Sequence, residues 1–138
     1  MLLNEPKLRK ALLEDGPKVS YQGAIFVLFC VDDLLEEVRR LDCTPSTKDF
    51  IRFFPRIAVD HLGILTVEGL KMWGLLDWKI LGETLFFWTR TEILKPSEQD
   101  SITDFEDQKS NLMQKISYQI EKVYKPSILE RIKGNYVK

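Results

Sequence analysis

The chain has 138 residues, of which 44% are hydrophobic and 30% charged, and its formal net charge is −1. That size and balance suit one globular domain with a real core and argue against intrinsic disorder. A near-neutral chain also lacks the uniformly basic surface expected of a nucleic-acid binder.

The opening Met1-Leu2-Leu3-Asn4-Glu5-Pro6 has neither the charged start nor the long apolar stretch of a signal peptide. The longest apolar run, Ala24 to Val31, is far too short for a membrane span. Cys30 and Cys43 make a poor disulfide framework and read as free thiols. These features together predict a cytoplasmic protein with no membrane segment.

In chain order, a first helix is expected from about Asn4, with Pro6 in its first turn and Leu8, Ala11 and Leu12 on one face. Gly16-Pro17 stops it. The run from Ala24 to Val31 resembles a buried strand by local propensity alone. Its continuation through Val27, Val31, Leu34, Leu35, Val38 and Leu41 keeps a helical stripe instead. We therefore expect one long helix capped by Ser20 and almost fully buried over its first half. After Thr44-Pro45, Ser46 and Asp49 have the spacing of a capping box. The helix they start meets Pro55, where a kink or a restart is predicted.

A short helix over Ile64 to Trp73, ended by Gly74, is followed by Asp77 as N-cap of a helix over Trp78 to Glu92. Leu81, Leu85 and Trp88 mark its stripe. Ile93-Leu94, a polar tip from Pro96 to Asp100, and Ser101 to Phe105 then suggest a hairpin pinned to the core. The last long helix runs from about Gln108 to Tyr124 on Leu112, Ile116, Ile120 and Val123, and a short one is expected over Ser127 to Lys133. The predicted fold is mainly α: a compact helical domain with a short β-hairpin of winged-helix-like outline and a C-terminal helix. Residues 1–107 form the core domain. Residues 108–138 form a helical extension packed on the core or on a partner.

One set of residues carries a resemblance: Leu70, Trp73-Gly74, Gly82-Glu83, Phe86, Leu94, Glu98, Asp100-Ser101 and Asp104-Phe105, with Ala58 and Gly63 upstream. The stretch resembles a family of short uncharacterised bacterial proteins found mainly in planctomycetes and verrucomicrobia. Tyr21 to Val38 fits that family's apolar first long helix more loosely. Pro55, Phe87 and Glu92 depart from its pattern, Glu92 standing where a helix-ending glycine is expected. The resemblance implies a fold and no mechanism.

Chemistry-bearing residues are few. His61, the single histidine, lies beside Asp60 and reads as a helix-end residue favoured by the helix dipole rather than as a general base. Asp32, Asp33, Glu36 and Glu37 lack the partner Glu-x-x-His helix of a di-iron site and read as a solvated face. Gly82 costs about 1 kcal/mol inside a helix and so signals close packing. The acidic stretch from Glu98 to Asp107 lacks the ligand alternation, glycine and closing glutamate of a calcium loop. No nucleophile motif and no phosphate loop is present. We therefore expect no catalytic residues, no metal and no cofactor.

The function this supports is a non-enzymatic helical protein-interaction domain, self-associating or bound to another protein. Its expected surface is Trp78, Phe87 and Trp88 with Glu83. A winged-helix-like DNA-binding regulator is the alternative, with Trp78 to Glu92 as recognition helix. Only Lys79 and Arg90 are basic there, so nucleic acid is not the favoured partner.

Overall fold

The computed structural model describes residues 4–39, 46–94 and 101–124, with side chains through Glu37 in the first stretch. The Val38 side chain, Leu41, Cys43, the tip from Pro96 to Asp100 and the helix expected over 127–133 lie outside the described residues. Among those described, every regular element is helical.

Helix α1 (Glu5–Asp15) starts where the sequence places it. The Asn4 carboxamide oxygen accepts from the Lys7 amide, satisfying one of the donors left over at a helix start, and Leu8 and Leu12 are buried. Helix α2 (Tyr21–Arg39) follows, its start capped by the Ser20 hydroxyl, which accepts from the Gly23 amide. Ala24, Phe26, Val27, Cys30 and Leu34 form its inner face.

Helix α3 (Thr47–Leu62) opens with the expected capping box between Ser46 and Asp49. It does not restart at Pro55 but continues through it. A mid-helix proline costs about 3 kcal/mol. Burial of Ile51, Phe54 and Ile57 around it is worth roughly 1.5–3 kcal/mol for each side chain, which outweighs that cost. Helix α3 touches more of the structure than any other element, packing on α2 and on helices met later in the chain.

A 3₁₀ turn at Gly63–Leu65 leads into helix α4 (Thr66–Trp73). Its end is a complete Schellman motif. Gly74 sits at φ 84°, the Gly74 amide donates to the Lys71 carbonyl, and the Leu75 amide reaches back to Leu70 at 2.8 Å. The Trp73 carbonyl, left over at this end, accepts from the Ser20 amide at 3.0 Å, which joins α4 to the start of α2.

Helix α5 (Trp78–Arg90) is capped by Asp77, whose carboxylate accepts from the Lys79 and Ile80 amides. Its end repeats the Schellman pattern, with Glu92 donating to the Thr89 carbonyl and Ile93 to that of Trp88. Here the left-handed position is held by Glu92, at φ 65°.

Residues Thr103–Glu106 form the short helix α6 rather than the predicted hairpin arm. Asp104 accepts a hydrogen bond from the buried Thr47 hydroxyl, while Phe105 enters the core beside Phe50 and Gly82. Successive side chains of a strand point to opposite faces, so a helical turn serves this pair of inward contacts better. Helix α7 (Leu112–Tyr124) packs on α3 and α4 through Leu112 and Ile116, both buried. Ile120 packs partly, and Val123, expected on the same stripe, is exposed.

Candidate interaction surface

The predicted surface on α5 lies inside the protein. Trp78 is 7% exposed, Phe87 2% and Trp88 0%. The Trp88 indole N–H donates to the Ala24 carbonyl of α2 at 2.7 Å, and that of Trp78 donates to the Ser110 carbonyl at 2.9 Å. Both polar tips are satisfied internally, as buried tryptophans require. What the sequence presents as surplus apolar area is covered by α2 on one side and by α6 on the other. Glu83, the fourth predicted residue, is half-buried in a shallow cleft with Phe86 and Arg90, facing Asp15-Gly16-Pro17. On the outer side of α5, Lys79 and Arg90 are the exposed residues.

Apolar side chains that face outward include Leu13, Leu65, Met72 and Tyr118, and on α2 one of them borders a groove. Phe29 is 58% exposed in the middle of that helix, contrary to the expectation of near-complete burial. Together with Arg9, Tyr21, Gln22, Ile25, Phe26 and Trp73 it lines a groove of about 350 Å³ between α1, α2 and α4. The Arg9 guanidinium stands 4.2 Å over the Tyr21 ring and pairs with Glu5 at 2.9 Å. Trp73 is only half-buried, and its ring leans on Phe26 at 5.1 Å between centroids. It is therefore a groove wall as much as a core residue, whereas Phe105 lies fully in the core.

Phe29 was detectable from spacing. Gln22 stands seven residues before it, and Asp32 and Glu36 stand three and seven after, all polar and all on one helical face. The apolar run around Phe29 masks that pattern. The result is an outer face of α2 that is apolar over Tyr21, Ile25 and Phe29, then acidic from Asp32 onward.

Two of the acidic residues bridge to α3. Asp33 Oδ2 lies 2.5 Å from His61 Nε2, and Glu37 pairs with Arg56, which also reaches Asp60 at 3.7 Å. Arg56 is held above its ordinary range, first by the Glu37 hydrogen bond, against the effect of burial. His61 also sets its ring edge-on to Phe26 at 5.8 Å. Among the described residues the one free thiol near this pair in the chain is not a usable nucleophile. Cys30, one turn from Asp33, is fully buried, and burial pushes its thiol far up, with the Asp33 charge adding to the effect. Among the described residues no group of histidine, cysteine, aspartate and glutamate is placed to hold a metal ion, and no helix is long and apolar enough to cross a membrane.

No family model, curated protein or solved structure matches this chain.

Proposed function

We propose that this protein is a non-catalytic protein-interaction domain whose contact face is the outer side of α2 with the adjoining groove. The observation that carries this reading is Phe29, exposed at mid-helix beside Tyr21, Ile25 and Trp73 rather than folded into the core. A large aromatic at the rim of an apolar groove gains little in the free monomer. It becomes an anchor when a partner removes its remaining surface from water. The polar residues around it, Gln22, Arg9 and Asp32, supply the rim that gives such a contact its orientation. The DNA-regulator alternative has less support, because α5 turns Trp78, Leu81, Thr84, Phe87 and Trp88 into the core and leaves few groups to read bases.

The test is Phe29→Asp in the full chain, expressed at native level and sized in cell extract. A complex heavier than the 16.2 kDa chain should collapse to the monomer in the variant while the circular dichroism stays unchanged. A wild-type chain that runs as a monomer in extract would remove the proposal.

A further inference from the structure

We draw no further inference here: the strongest candidate, the groove between α1, α2 and α4 as the seat of one particular partner, carries nothing, because its rim cation Arg9 is already paired with Glu5 and nothing else in the structure shows what covers it.

Discussion

Phe105 lies so close over Gly82 that a methyl group on that glycine would sit 2.6 Å from the ring's Cγ. The glycine is what lets α6 approach α5, and the ring atoms it faces belong to a side chain fully enclosed in the core. Gly82→Ala gains about 1 kcal/mol in helix propensity. It loses roughly 1–3 kcal/mol to overpacking, because neither the ring nor the helix backbone has room to yield. We expect a net loss of about 1 kcal/mol by urea denaturation. Phe105→Ala should cost roughly 3–5 kcal/mol, and restoring volume at position 82 in that background should recover part of it.

Glu92 is the one non-glycine residue at positive φ among those described, and it is exposed, so nothing it touches offsets the strain. A left-handed conformation costs an ordinary residue about 1–2 kcal/mol, and glycine recovers most of that while losing some unfolded-state entropy. Glu92→Gly should therefore raise stability by about 0.5–1 kcal/mol, whereas Glu92→Ala should leave it near wild type. A stabilising alanine would show that the side chain, not the backbone, is the source of the cost.

Asp77 accepts two amide hydrogens at the start of α5 and makes no other hydrogen bond or ion pair among the described residues. Asp77→Ala should cost about 1 kcal/mol, and Asp77→Asn should retain most of the wild-type stability. Equal losses for both variants would point to charge rather than capping.

The Cys30 thiol is held protonated by burial first and by the Asp33 charge second. In the unfolded chain it ionises near its ordinary value of 9.0, while the folded protein keeps the proton. The unfolded state then binds fewer protons, so stability falls with rising pH, by about 1.4 kcal/mol per unit for one such group. The contribution is complete below pH 9 and is lost above it. Wild type minus Cys30→Ala, followed by chemical denaturation from pH 8 to 11, should show the advantage shrinking only in the upper half of that range. A pH-independent difference would mean that the thiol ionises in the native state.

What the sequence revealed well was local. Ser20, Ser46 and Asp77 cap the helices they were expected to cap, because a cap is decided within three residues. Gly82 signalled close packing because glycine inside a helix has few other uses. Questions of which apolar face finds a cover were not legible. Trp78, Phe87 and Trp88 looked surplus because the elements that enclose them lie elsewhere in the chain, and Ser110 is 32 residues from the indole it satisfies. Phe29 looked buried for the converse reason: an apolar run does not reveal which side lacks a neighbour. The Asp33–His61 pair, 28 residues apart, was likewise two separate helix-surface residues until α2 met α3.

The place of α3 in this core also sets an order on biosynthesis. Its residues are complete at Leu62, yet Leu112 and Ile116, which close over it, are made about fifty residues later. At ordinary translation rates that is a delay of roughly 3–10 s. Throughout it the nascent chain carries an unfinished apolar helix. A ribosome stalled before α7 is made would hold a product with that apolar face uncovered.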